Sequence, residues 1–170
     1  LLKDRRGNLT LTNINGLCRI ALDKLKKTYE QDIQEKNIRI VFDNLTLSLM
    51  MEVNVEQFSK VLAGILKNSM YALLKKSETV TFSPEIFLGL KVNKDMLEIT
   101  IRDNGSGIDE NIKDKIFAPF FTTKTTGEAA GVGLYLCREI VQNHRGTIEV
   151  ESKKGEYTQF LITIPVYQPK

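Results

Sequence analysis

DNGSGI (Asp103–Ile108), IFAPFFTTK (Ile116–Lys124) and GVGLYL (Gly131–Leu136) follow one another along the sequence, and reading them together decides the fold. Upstream, MLEITIRDNG (Met96–Gly105) alternates apolar and polar residues like a strand that runs into a turn. Downstream, LYLCREIV (Leu134–Val141) has the spacing of a helix that starts directly after Gly133. A strand end and a helix start, each joined to glycines and separated by a flexible segment, read as a nucleotide pocket. Glycines let backbone amides approach an anion closely, and a helix N-terminus offers unpaired N–H groups at a positive dipole end, so GVG is a seat for phosphates. Asp103 is the candidate acceptor for the base, because an ionised carboxylate only accepts hydrogen bonds and adenine's exocyclic amino group donates them. Taken singly, DNG and GVG are ordinary turn signals. Their ordered combination carries the reading.

With ILKNSMYAL (Ile65–Leu73, containing Asn68), these motifs resemble the asparagine, glycine and phenylalanine boxes of the ATP-binding domain of sensor histidine kinases. That domain belongs to a wider superfamily with gyrase, a major chaperone and the mismatch-repair ATPases. The resemblance runs from about residue 10 to residue 167 in the family's order. It implies a two-layer α/β sandwich, a mixed and mainly antiparallel sheet with three principal helices on one face, and a lid formed by the segment from Phe117 to Ala130. Residues 1–12 are then the end of a preceding segment with a short first strand, and 13–167 a single ATP-binding domain.

The same resemblance implies ATP and Mg²⁺ as cofactors and assigns residues to them. The amide oxygen of Asn68 ligates Mg²⁺ bridging the phosphates, in keeping with the ion's preference for hard oxygen donors. Lys124, set among threonines, places a compact charge near the terminal phosphate. Asn68 and Lys124 are therefore the candidate catalytic residues, with Tyr71, Ala72, Asp103, Gly105, Gly107, Ile108, Gly131, Val132, Gly133, Leu134 and Thr158 completing the nucleotide site. Thr158 is placed to support Asp103 through a hydrogen bond, or is simply a strand threonine.

Several positions depart from the family pattern. Gly64, four residues before Asn68, has no side chain that could take a proton, which counts against a water-activating ATPase. Tyr71 stands where many of these kinases place a cation, and Ala129 and Ala130 where a glycine and a hydroxyl residue are usual. Arg145 and Tyr157 replace glycines. Two functions remain in view. One is a kinase catalytic domain that passes the γ-phosphoryl group to a histidine on another element. The other is a degenerate nucleotide-binding or regulatory module of the same fold.

The rest of the chain is scaffold. Apolar residues at Leu17, Ala21, Leu25, Tyr29 and Ile33 predict one helix from Asn13 to Asn37. IRIVFDN (Ile38–Asn44) alternates as a strand, and LTLSLMMEV continues in extended style. Asn54 caps the next helix, with Gln57 reaching back to complete the box and Phe58, Val61, Leu62, Ile65, Ala72 and Leu73 forming its apolar stripe. Glu85–Val92 and Met96–Asn104 form a hairpin that carries Asp103 to the sheet's edge, a short polar helix follows near Asp109–Lys115, and TIEVESKKG with YTQFLITIPV makes a closing hairpin.

A chain of 170 residues with a formal charge of +3 and scattered basic residues carries no nucleic-acid footprint. No apolar run approaches the roughly 18 residues of a membrane span, and no signal-peptide pattern is present. Cys18 and Cys137 read as buried free thiols of a reducing compartment, so a cytoplasmic location is expected. The chain begins at Leu1, and is expected to be part of a longer protein. His144, the only histidine, shares the apolar spacing of Ile140 and Val141 and reads as a packing residue. The resemblance accordingly implies outside partners: a phosphoacceptor helical hairpin of a homodimeric parent kinase, and a response regulator.

Overall fold

The computed structural model describes residues 4–119 and 133–167. Alternation along two strands sets the architecture. On β5 (Met96–Asp103) the residues Leu97, Ile99, Ile101 and Asp103 are buried, and on β7 (Tyr157–Pro165) Thr158, Phe160, Ile162 and Ile164 are buried. The antiparallel register pairs these sets one to one, from Leu97 with Ile164 to Asp103 with Thr158, so a single apolar face results. The hairpin partner β4 (Glu85–Asn93) extends it with Ile86, Leu88 and Leu90. The remaining strands are β2 (Arg39–Asp43), parallel to β4, and β6 (Thr147–Lys153), antiparallel to β7, giving the order β2-β4-β5-β7-β6.

Helices cover that face. The long α3 (Val55–Ser77) lies against β4 and β5, α4 (Leu134–Asn143) against β6, and α1 (Ile14–Thr28) against α3. The outcome is the expected two-layer sandwich with a mixed, mainly antiparallel sheet and its principal helices on one side. A separate two-stranded ribbon joins β1 (Thr10–Asn13) to β3 (Met50–Val53).

Several local expectations are corrected. The predicted helix from Asn13 breaks at Tyr29, which has φ −110°, and resumes as α2 (Glu30–Lys36) before Asn37 ends it in the left-handed conformation. Only Met50–Val53 of the LTLSLMMEV run is a strand, because the Asn15 side chain clamps the backbone of Leu45 from both its donor and its acceptor atoms. The segment near Asp109–Lys115 holds one turn of 3₁₀ helix at Lys113–Lys115. Asp103 is not at a sheet edge, since β5 is the middle strand of five.

The α3 N-terminus shows a further substitution of parts. Asn54 Oδ1 accepts the Gln57 amide at 3.0 Å as predicted, yet the Gln57 Oε1 is buried without a partner among the described residues. The Asn54 amide instead donates to His144 Nε2 at 3.2 Å. His144 is fully buried, its Nδ1 lies 2.8 Å from the Ile140 carbonyl, and its ring meets Phe58 edge-on at 5.0 Å. An amide can only donate and a carbonyl only accept, so the ring is the neutral Nδ1–H tautomer. Its packing role is thereby explained.

Candidate functional site

The site is built where the loop after β5 meets α3. Gly105 passes so close to the helix that an added Cβ would lie 2.6 Å from the Ala72 carbonyl carbon. The next amide, Ser106 N–H, donates to the Ala72 carbonyl oxygen at 3.1 Å. Ala72 is one helical turn beyond Asn68, so this docking puts the loop beside the face of α3 that carries Asn68. Gly107 adopts φ +68°, and a Cβ there would meet the Lys153 carbonyl at 2.3 Å. Both glycines are thus required by backbone packing within the protein, a use of glycine that the phosphate argument from sequence did not include.

Asn104 fastens the other side of the loop. Its side chain accepts the Glu85 amide at 2.8 Å and donates to the Ser83 carbonyl at 2.8 Å, while Lys76 Nζ donates to its carbonyl at 2.9 Å. The Ile108 amide donates to Ser152 Oγ at 2.8 Å. A loop tied down at nearly every residue is a rigid support for the one carboxylate it follows.

That carboxylate is Asp103, which is 2 % exposed. Its Oδ1 accepts the Gly105 amide at 2.9 Å. Burial pushes its pKa up from 3.8 to about 7, against the opposing pull of the Gly105 amide, the Ser69 hydroxyl and the charges of Lys76 and Arg102. The Ser69 hydroxyl acts on the carboxylate as a loose hydrogen-bond donor, outside strict geometry, and has no other partner among the described residues. A buried acid and a buried hydroxyl that lean mainly on each other among the described residues are a place made for a polar ligand.

Thr158 lies opposite Asp103 in the register and is buried with it. The expected hydrogen bond to Asp103 is absent, because the Thr158 hydroxyl is engaged with Ser152 Oγ at 3.0 Å. Asn68, Tyr71 and Ala72 are half-buried on α3, and Ile108 is half-buried at the end of the loop. Gly133 is exposed at the start of α4, and among the described residues it has no side-chain cap and nothing within 4 Å of the position a Cβ would take. Leu134 packs against the core behind it. The described residues therefore bring together Asn68, Ala72, Asp103, Gly105, Gly107, Ile108 and Thr158, with the open helix end at Gly133 on the neighbouring α4. Lys124, Gly131 and Val132, with Phe120, Phe121, Ala129 and Ala130, lie outside the described residues.

Ser69 and Ser152 went unmarked in the sequence. Ser69 had a signal: it sits in the apolar row Ile65, Ser69, Leu73, a polar residue at a core position next to Asn68. Ser152 ends the inward row Ile148, Val150, Ser152 of a strand, and only the pairing with Thr158 shows its use.

The residues fit an adenine nucleotide in the base region, where the buried Asp103 carboxylate keeps acceptor capacity that an amino-purine edge fills. For a divalent cation, the described residues include no cluster of three His, Cys, Asp or Glu side chains, so an ion there would be held by the Asn68 amide and by phosphate oxygens.

Residues 54–168 match the family described as histidine kinase-, DNA gyrase B- and HSP90-like ATPase. Cyanobacterial phytochrome A of Nostoc sp. is 35 % identical over 149 residues, covering 86 % of this chain and 18 % of the relative. The sensor histidine kinase ZraS of Escherichia coli is 29 % identical over 166 residues, covering 98 % of this chain and 33 % of the relative. The chain thus spans a third or less of these proteins. Among solved structures, the catalytic domain of histidine kinase ThkA superimposes with a TM-score of 0.75 at 28 % identity, covering 93 % of this chain and 95 % of that one. ThkA in complex with the response regulator protein TrrA gives a TM-score of 0.69 at 26 % identity, covering 94 % of this chain and 42 % of that one.

Proposed function

The chain belongs to the histidine kinase-, DNA gyrase B- and HSP90-like ATPase family as a catalytic domain of the sensor histidine kinase type, and on that premise we propose how it binds Mg·ATP and passes on the γ-phosphoryl group. The single observation that carries the reading is the buried Asp103 carboxylate, set beside the Ser69 hydroxyl at the point where the glycine loop docks on α3.

Asp103 accepts from the adenine amino group, and Ser69 completes the base contacts. Gly105, Gly107, Ile108 and Ala72 shape the wall on which the base rests, and Tyr71 lines the α3 side. Asn68 holds Mg²⁺ through its amide oxygen. When bound, Mg·ATP supplies the activated phosphoryl group and the metal's charge neutralisation. The amides at Gly133 and Leu134, at the start of α4, receive the phosphates together with those of Gly131 and Val132, which precede them in sequence, and Lys124 brings a cation to the terminal one.

Transfer goes to a histidine outside this chain. Gly64, buried on α3 four residues before Asn68, offers no base to activate water. His144 has both ring nitrogens bonded to backbone and no exposed surface, so it is not the acceptor. The acceptor is a helical hairpin of a longer, homodimeric cytoplasmic protein or cytoplasmic portion, which then serves a response regulator. Among the described residues no helix is long and apolar enough to cross a membrane. The test incubates the chain with γ-labelled ATP and Mg²⁺, with and without a separate histidine-bearing hairpin of the parent kinase. Acid-labile label on the hairpin supports the proposal, and label on His144 in the chain alone overturns it.

A further inference from the structure

Ser152 makes three contacts that together leave its hydroxyl no freedom. Its Oγ accepts the Ile108 amide at 2.8 Å, donates to the Tyr157 carbonyl at 2.7 Å and lies 3.0 Å from Thr158 Oγ1. A hydroxyl has one proton and two lone pairs. The amide can only donate and so takes one lone pair. The carbonyl can only accept and so takes the proton. What remains is one lone pair, and Thr158 must donate into it. Thr158 therefore spends its only proton on Ser152, and its oxygen presents lone pairs alone to everything else.

Thr158 and Asp103 are cross-strand partners on the buried face, so an acceptor-only hydroxyl stands beside a carboxylate. Once Asp103 is ionised, above its raised value of about 7, the two are neighbouring acceptors with no protein proton between them and call for a donor from the ligand. A 6-amino purine brings two N–H groups at that edge, whereas a 6-oxo purine brings an oxygen that both acceptors repel. A freely rotating threonine would have turned its proton to meet that oxygen.

Resting on the adenine reading of the pocket given above, we propose that Ser152 is the positioning residue that sets base selectivity: it fixes the Thr158 proton away from the base, so that 6-amino purines are accepted and 6-oxo purines rejected. The same side chain ties the glycine loop to the closing hairpin through Ile108, so the loop position and the hydroxyl orientation are set by one group.

The experiment compares ATP and ITP, which differ at the 6 position without the 2-amino group of guanine, by calorimetric titration. The wild-type chain prefers ATP. In Ser152→Ala the Thr158 hydroxyl rotates freely, and the ATP-to-ITP preference falls by about tenfold, the size of one mismatched hydrogen bond. Ser152→Thr keeps the hydroxyl and restores the preference. Thr158→Val, which retains the side-chain shape, lowers the preference without touching Ser152 and covers the case in which Ser152→Ala does not fold. Amide exchange at Ile108, read without nucleotide, accelerates in Ser152→Ala and stays slow in Ser152→Thr. A wild-type chain that binds neither nucleotide overturns the adenine reading and this inference with it. A wild-type chain that prefers ATP, with Ser152→Ala or Thr158→Val keeping the full preference, overturns this inference alone.

Discussion

Asp103→Asn isolates the cost of keeping a carboxylate inside the pocket. Burial raises the folded-state pKa of Asp103 from 3.8 to about 7, so the folded chain holds its proton across a range in which the unfolded chain has lost it. A raised folded value means a contribution to stability that is complete below 3.8 and disappears as pH rises through about 7. The whole displacement corresponds to about 4 kcal/mol, and the part lost between pH 5 and pH 8.5 to about 3 kcal/mol. Asparagine keeps the shape and the acceptor for the Gly105 amide but does not titrate. Urea unfolding of both proteins at the two pH values should show the variant gaining about 3 kcal/mol on the wild type at the higher pH. The variant should at the same time lose ATP affinity by about tenfold or more, because an amide N–H group now opposes the amino group of the base. A stability difference that is the same at pH 5 and pH 8.5 would refute the reasoning, since it would mean that Asp103 titrates normally.

Three further outcomes follow from single residues. His144 has its pKa lowered from 6.5, mainly by burial, so its contribution is complete above about 6.5 and declines as pH falls below that; His144→Ala should cost about 1–3 kcal/mol at pH 7.5 through the orphaned Asn54 amide and should remove the acid decline in urea unfolding relative to the wild type. Arg145 holds φ 61°, so Arg145→Gly should raise stability by up to about 1 kcal/mol, visible as a higher urea midpoint at unchanged slope. Gly105→Ala drives a Cβ into the α3 backbone at Ala72 and should cost about 1–3 kcal/mol in the same measurement, with loss of ATP binding.

Much of this is legible in the sequence. The alternation in Met96–Asp103 and Tyr157–Pro165 carried the sheet, because one buried face demands a period of two, and the stripe of α3 carried its position against that face. Asp103 was identified because a strand end followed by Asn-Gly-Ser-Gly is a turn with an acid at its root. The exchange of partners at Asn54 was not readable: Gln57 has the right spacing for the capping box, but His144, 90 residues away, takes the amide. Of the two readings open for Thr158, the hydrogen bond to Asp103 is not made: Ser152 and Asp103 flank it equally in a pattern of alternating residues, and only the turn geometry decides for Ser152. The packing contacts of the glycines are not readable either. Sequence shows that a side chain is missing, whereas what fills the space, here the backbone of Ala72 and Lys153, is a tertiary fact. Arg145 illustrates the reverse case, in which a departure from the family's glycine became intelligible as a left-handed residue tolerated at a cost.

The most direct test of Mg·ATP binding is a calorimetric titration of the chain with ATP, with and without Mg²⁺, repeated on Asn68→Ala. The account predicts tighter binding with Mg²⁺ in the wild type and loss of that increment in Asn68→Ala, while metal-free ADP binding survives because Asp103 and Ser69 still hold the base. ATP binding that is indifferent to Mg²⁺ and to the γ-phosphate would contradict the account and identify the chain as a nucleotide-responsive module without phosphoryl transfer.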